Sequence, residues 1–457
     1  MNGSNLECRA CCDVFPMIVT PVSRIEGGLK DTNLIVPTVQ SQGLIQTDTV
    51  FLLTYKMPPA EDQPAPLVDS ITVISDTTVE VKWHDHSPSR FHTFWLRYHC
   101  HCPDCKEVHS GMRRIHPDDV PKKLTLKTAE INDGFLVVVC HEEVHSIRQS
   151  LHWLKTFSYS KEDLKSRALE RNVVYKTDDI ASFEFDKICQ SEDIYFEWLQ
   201  AMDKYGLALI KNVPCEDGKV VEVGEMVAPV YETLYGKVFN VVSKAKVTNI
   251  AYLEVPLEFH QDLPYYESPP GLQFLHCIRL DPSVEGGANV FVDVFHVAEQ
   301  LQREYPKYFE TLLKVPATFQ KIHDDGKRPS HFVYQRPHIT VNAQGKVTGV
   351  FWNAQAEGPL QVPEEMVEPY YEAYFKFAAL MEKSPSRIVY RMQQGECVTF
   401  NNRRMVHSRQ AFKLNGGVRQ LQGIYINVDD FKNAIQTQYL KRKSGQLVKR
   451  IGNQCYC

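Results

Sequence analysis

No stretch of this chain stays apolar long enough to cross a bilayer, so no membrane partner is expected. The opening residues also lack the continuous apolar segment of a secretion signal, because Glu7, Asp13 and Glu26 interrupt them. Positive charge is not in excess: 51 Lys and Arg stand against 56 Asp and Glu, a net charge of -5. A polybasic surface is therefore not expected, nor is a nucleic-acid partner. The chain closes with Cys455-Tyr456-Cys457, but Gln454 occupies the position fourth from the end where prenylation needs a cysteine. Together these absences predict a cytoplasmic protein.

What is present fits a globular chain of two or three domains: 457 residues, 43% hydrophobic and 23% charged. Thirteen cysteines without a secretion signal read as thiols or metal ligands rather than as a disulfide framework. Residues 1–65 are rich in Pro, Thr, Ser and Gln and show no sustained period, which predicts a poorly ordered extension. A small β domain is expected over 66–160, a polar linker over 161–185, a larger domain over 186–440 and a tail over 441–457.

In the small domain, Ile71 to Ile74 and Val79 to Trp83 alternate around Asp76-Thr77-Thr78, a hairpin pattern. The domain repeats itself faintly. A turn, a strand, a His- and acid-rich stretch and Phe94-Trp95-Leu96 recur as Asp133-Gly134, Phe135 to Cys140, a second such stretch and His152-Trp153-Leu154. Between the copies lies Cys100-His101-Cys102-Pro103-Asp104-Cys105. Three thiols in so tight a turn can wrap one zinc ion, and a fourth Cys or His closes a structural tetrahedron. His145 is the favoured fourth ligand, with His101, His109 and His141 as rivals.

Further on, Ile194, Trp198, Leu199 and Met202 fall at helical spacing behind Ser191, a suitable N-cap, and Gly206 ends the helix. Leu207 to Ile210 reads as a buried strand, and Val223 to Leu234 as another helix. Val297 to Leu313 and Pro363 to Met381 are amphipathic, with Pro363 placed in a first turn. Strands return at Arg387 to Met392, Cys397 to Phe400 and Gly423 to Asn427. Strands bracketing helices predict a mainly β fold with flanking helices, a double-sheet jelly roll.

The chemistry centres on His260-Gln261-Asp262. Side chains two apart on an extended strand share a face, so this imidazole and carboxylate can hold one ion. A second histidine from far along the chain would complete a facial triad with open positions, the geometry of a non-haem Fe(II) oxygenase. His407 is the best candidate, and Arg419 follows it.

Residues from about 70 to 435 resemble the γ-butyrobetaine dioxygenase and trimethyllysine dioxygenase family, the 2-oxoglutarate-dependent hydroxylases of carnitine synthesis. The matching motifs are Trp95-Leu96-Arg97-x-x-Cys100-x-Cys102-x-x-Cys105, His260-x-Asp262, Pro269-Pro270-Gly271, Leu275-His276-Cys277, Phe400-x-Asn402-x-Arg404-x-x-His407 and Arg419. The resemblance implies a double-stranded β-helix catalytic domain with a zinc-binding N-terminal domain, and it puts His145 at the family's histidine zinc-ligand position. It implies Fe(II) on His260, Asp262 and His407, and 2-oxoglutarate gripped by Arg419, whose fork matches a carboxylate. Leu275 and Asn289 fall at cosubstrate positions, Asn289 where relatives often carry Ser or Thr. Ascorbate as reductant and a homodimer are further implications.

A trimethylammonium group has no N–H to donate, so it is recognised by aromatic faces. The family's cage positions map to Tyr235, Phe239, Tyr252 and Tyr425, with Phe239 where tryptophan is usual. Asn249 matches one polar contact to the substrate carboxylate, whereas Trp352 stands where the butyrobetaine enzymes have a second asparagine. The expected reaction is hydroxylation of γ-butyrobetaine to L-carnitine with O2, releasing succinate and CO2. Trimethyllysine or another betaine is the alternative substrate, and a non-catalytic jelly-roll binding protein the alternative class.

Overall fold

A computed structural model of the chain describes residues 66–166, 172–242, 254–323 and 329–444. The expected extension over 1–65, most of the tail, and the site candidates Asn249 and Tyr252 lie outside the described residues.

The faint repeat in the sequence is a structural duplication. Val68–Ser75, Thr78–Trp83 and Pro88–His92 form an antiparallel sheet that runs into helix Thr93–Tyr98. Leu126–Asn132, Phe135–Cys140 and Ser146–Ser150 form a second sheet, which runs into helix Leu151–Thr156. Alternation decides what each sheet buries: Val79, Val81 and Trp83 from one copy share a core with Leu136, Val138 and Cys140 from the other. Trp95 and Trp153 occupy equivalent positions in the two helices, and their ring centroids are 5.0 Å apart.

Beyond this unit the chain winds between two sheets. Six strands lie in the order Ala181–Glu184, Leu207–Lys211, Cys397–Asn401, Leu272–Leu280, Arg419–Ile426 and Phe239–Val242. Four lie in the order Leu257–His260, Met405–Arg409, Asn289–Asp293 and Ile388–Tyr390. From Leu257 onward the strands that enter these sheets mostly alternate between them, the jelly-roll winding expected from the strand pattern. Between the sheets, Leu207, Leu209, Leu275, Val398 and Phe400 meet Phe291, Ile388 and Met405. The residues one step along, Ala208, Ile210, Phe274 and Cys397, point the other way and pack against helix Glu192–Tyr205, as the period of two requires. The parallel strand Ala181–Glu184 shows that this sheet begins inside the stretch read as linker.

Local signals explain most helix limits. Ser191 Oγ accepts a hydrogen bond from Ile194 N at 3.3 Å, and Gly206 closes the helix with φ +72°. Three helical expectations need correction. The helix expected from Val223 to Leu234 spans Lys219–Glu225 only, and Pro229 stands soon after it. The single helix over Val297 to Leu313 is two, Val294–Glu304 and Pro306–Lys314, divided at Tyr305 because proline begins a new first turn. Pro363 precedes a short 3-10 turn, Glu364–Met366, and the α-helix is Val367–Glu382.

Candidate active site

The two strands that carry the candidate histidines are neighbours. His260, at the end of Leu257–His260, pairs directly with His407 in Met405–Arg409, and their ring centroids are 4.1 Å apart. One ligating atom each from His260, Asp262 and His407 lies within 4.8 Å of the others, so the structure brings the three expected residues together. His260 Nε2 is 3.3 Å from Asp262 Oδ1.

The donor set suits a ferrous ion. His260 Nδ1 donates to Glu258 O at 2.8 Å, which fixes the tautomer and turns the Nε2 lone pair towards the site. Burial, with His260 beside it, pulls the His407 imidazole down to about 3, so it stays neutral and able to ligate. Burial by itself would raise the Asp262 carboxyl. Contact with His260, the neighbouring His407 and the hydrogen bond from Tyr425 nevertheless hold it well below the ordinary carboxylate range. Tyr425 Oη donates to Asp262 Oδ2 at 2.7 Å, leaving Oδ1 to face the imidazoles. Asn402 then anchors the backbone from both sides: its Oδ1 accepts from Asp262 N at 2.8 Å and its Nδ2 donates to Asp262 O at 2.9 Å.

The triad opens onto a cavity of about 360 Å³. At one end Arg419 is buried on strand Arg419–Ile426, and Leu275, Gln273 and Asn289 line the same space. Asn289 Nδ2 and Gln273 Oε1 are buried without a protein hydrogen-bond partner among the described residues, so both can serve a bound polar molecule. Arg409 lines this end too. The Arg409 and Arg419 guanidinium carbons lie 4.7 and 5.3 Å from the Phe412 ring centroid. Burial and the charge of Arg419 pull Arg409 down to about 10, and burial lowers Arg419 as well. Two cations converging on a buried cavity favour a dianionic ligand.

On another wall the structure brings together Tyr235, Phe239 and Tyr425 of the four cage candidates. Phe239 stacks on Tyr425 with centroids 5.0 Å apart and planes at 24°. Trp352 is not part of this wall. Its ring lies in the core, 4.4 Å from Tyr374 and 5.2 Å from His338, and Asn353 beside it faces the cavity instead. Sequence reasoning missed Tyr265, Gln273, Gln320, Lys321, Asn353 and Arg409 as lining residues. Of these, Tyr265 and Arg409 were within reach, because they lie three and two residues from the candidate ligands Asp262 and His407.

A second cluster joins Cys100, Cys102, Cys105 and His145, whose ligating atoms lie within 4.8 Å of one another. His145 Nε2 is 3.3, 3.8 and 3.5 Å from the three sulfurs in chain order. Of the rival histidines, His101 stacks edge-on to Trp153 at 4.8 Å, and neither His109 nor His141 joins the cluster. Burial raises the Cys100 and Cys105 thiols, and each is raised further by its neighbouring cysteines, so thiolates this close call for a cation between them. Arg97 supports the group from behind, donating to Cys105 Sγ at 3.2 Å and to Glu143 Oε2 at 2.7 Å.

Residues 167–425 match the model of the taurine catabolism dioxygenase TauD, TfdA family, and residues 73–147 match the gamma-butyrobetaine hydroxylase-like N-terminal model. Gamma-butyrobetaine dioxygenase of Pseudomonas sp. (strain AK-1) is 30% identical over 360 residues, covering 78% of this chain and 92% of the relative. The Homo sapiens gamma-butyrobetaine dioxygenase is 28% identical over 363 residues, 77% of this chain and 92% of that one. Mitochondrial trimethyllysine dioxygenase of Mus musculus is 26% identical over 371 residues, 78% of this chain and 87% of that one.

Proposed function

The chain belongs to the TauD, TfdA family of taurine catabolism dioxygenases and is a 2-oxoglutarate-dependent dioxygenase, and from that premise we propose that it hydroxylates γ-butyrobetaine, 4-trimethylaminobutyrate, to L-carnitine. One observation carries the substrate class. Phe239 stacked on Tyr425, with Tyr235 alongside, offers π faces in the same cavity as His260 and Asp262. A quaternary ammonium cannot be satisfied by hydrogen bonds, and each such face contributes about 0.5 to 2 kcal/mol.

Bound Fe(II) would couple O2 and the decarboxylation of 2-oxoglutarate to hydroxylation of an unactivated C–H bond, leaving succinate and CO2. His260, Asp262 and His407 would hold it from one side, so the other face stays open. The protein supplies position and exclusion. Arg419, with Arg409 beside it, would hold the distal carboxylate of 2-oxoglutarate, and the Asn289 amide lies in the same end of the cavity. Tyr425 has two tasks, since its hydroxyl orients Asp262 while its ring backs Phe239.

We assign structural zinc to Cys100, Cys102, Cys105 and His145, supported by a four-donor set with no open position. Ascorbate as reductant, a cytosolic location and a homodimeric state complete the reading, and the free thiols among the described residues support the compartment. Trimethyllysine is the second reading, because relatives of both kinds match over similar spans. Incubation with either compound, Fe(II), 2-oxoglutarate and ascorbate, followed by mass spectrometry, tests the two together. Gain of one oxygen by butyrobetaine is expected, and no gain by either compound would remove both.

A further inference from the structure

The active-site cavity has two unlike walls. Phe239 and Tyr425, on adjacent strands at one edge of the six-stranded sheet, present aromatic carbon. Another wall is built by strand Pro316–His323 of a two-stranded ribbon and by the segment after strand Val347–Val350, and it contributes Gln320, Lys321, Asn353 and Gln355. The second segment joins the metal site directly. His260 pairs with His407 on one side of its strand and bridges to Asn353 on the other.

Asn353 is tied into the wall by three hydrogen bonds. Asn353 Oδ1 accepts from the backbone N–H groups of Gln355 and Ala356, and its Nδ2 donates to Gln261 O. Gln320 packs so tightly on Gly358 that a Cβ there would come within 2.8 Å of its Oε1. Lys321 differs in carrying charge. It pairs across the ribbon with Phe332, whose ring stacks on Tyr266 at 4.7 Å and lies 6.0 Å from Tyr265, itself a lining residue. Directly opposed residues of two strands share a face, so Lys321 is carried on the ribbon face that looks into the cavity. Among the described lining residues it is the one Lys or Arg apart from the Arg409 and Arg419 pair. Its side chain is half-buried, and an ammonium partly withdrawn from water attracts an anion more strongly than a fully solvated one.

We propose that Lys321 binds the carboxylate of the substrate, pairing with the anionic end of a zwitterion whose trimethylammonium end rests on Phe239 and Tyr425. The inference deepens the betaine reading and rests on it. Lys321 takes over a task that Trp352, turned into the core, does not perform. It also sets a preference. A carboxylate flanked by a free ammonium, as in trimethyllysine, brings a like charge towards Lys321 and is disfavoured against the simple acid.

The test measures binding without turnover, by calorimetry in the absence of oxygen with Fe(II) and 2-oxoglutarate present. The ligands are 4-trimethylaminobutyrate and its carboxamide, which keeps the cation and removes the negative charge. Lys321→Met keeps most of the alkyl stem, and it should weaken the acid about tenfold or more while holding the carboxamide within about twofold. Lys321→Arg should restore most of the lost affinity. An equal change for both ligands, or no change for the acid, overturns the proposal. Unsubstituted protein that binds neither compound overturns the betaine reading, and this inference with it.

Discussion

The ring of Phe239 rests on Gly423, its partner across the strand pair, so closely that a Cβ on Gly423 would come within 2.1 Å of Phe239 Cζ. The glycine is what lets the ring lie flat beside Tyr425. Gly423→Ala should therefore push the ring off the aromatic wall and raise KM for the trimethylammonium substrate about tenfold. Substrate-independent decarboxylation of 2-oxoglutarate should change little, because Arg419 lies elsewhere in the cavity. Steady-state kinetics on both reactions check this, and an unchanged KM would remove Phe239 from the cage.

His260→Ala removes one of the three residues proposed to hold iron, from a site whose backbone is held independently by Asn402. Succinate release should fall to background while the melting temperature stays within a few degrees. Iron content after reconstitution should fall with it. Retained iron and turnover would move the metal elsewhere.

Arg404 is fully buried and donates through Nε and Nη2 to Asp293 Oδ2 at 3.0 and 2.7 Å. The other oxygen of Asp293 caps helix Val294–Glu304 by accepting from Phe295 N and His296 N. Arg404→Met strands that carboxylate in the core and should cost about 3 to 5 kcal/mol. Urea denaturation is the measurement, and a loss under about 1 kcal/mol would contradict it.

Cys102→Ser breaks the sulfur cluster while leaving the jelly roll untouched. We expect loss of one equivalent of bound zinc and early unfolding of the duplicated N-terminal unit, whose small core would rely on the proposed ion. Calorimetry with metal analysis reads both. Full zinc content and an unaltered melting profile would sink the assignment.

Burial raises the Glu357 carboxyl from an ordinary 4.5 to about 7, against a hydrogen bond from Tyr374 that favours ionisation. Its folded-state value exceeds its unfolded one, so the contribution to stability is complete below about 4.5 and is lost as pH rises through about 7. The loss is on the order of 3 kcal/mol. Glu357→Gln should flatten the dependence of stability on pH across that window, and denaturation at several pH values decides it.

Much of this was readable from residues. The spacing of two paired His260 with Asp262, although the strand ends at His260 and Asp262 sits in the bend after it, and the capping signals of Ser191 and Gly206 fixed a helix at both ends. The duplicated strands and helices of the N-terminal unit were visible because each copy carries Trp at the same place. Trp352 was not readable. The strand Val347–Val350 ends before it, and bonds between Gln261 and the Trp352 backbone set which way its ring turns. Gln320 and Lys321 were hidden for another reason: the ribbon that carries them reaches the cavity through packing some sixty residues beyond Asp262, which no local pattern encodes. The divided helix breaks at Pro306 and the shortened one stops ahead of Pro229, breakers that a continuous apolar stripe masks in the sequence.

Because His260 and His407 stand opposite each other on neighbouring strands, an ion held between them also clasps the rim of the smaller sheet. Sliding Leu257–His260 by one position would swing the imidazole to the opposite side and empty the clasp, so metal and strand alignment protect each other. Chelation should then loosen this border strand first, exposing its amides to solvent exchange before the rest of the sheet gives way.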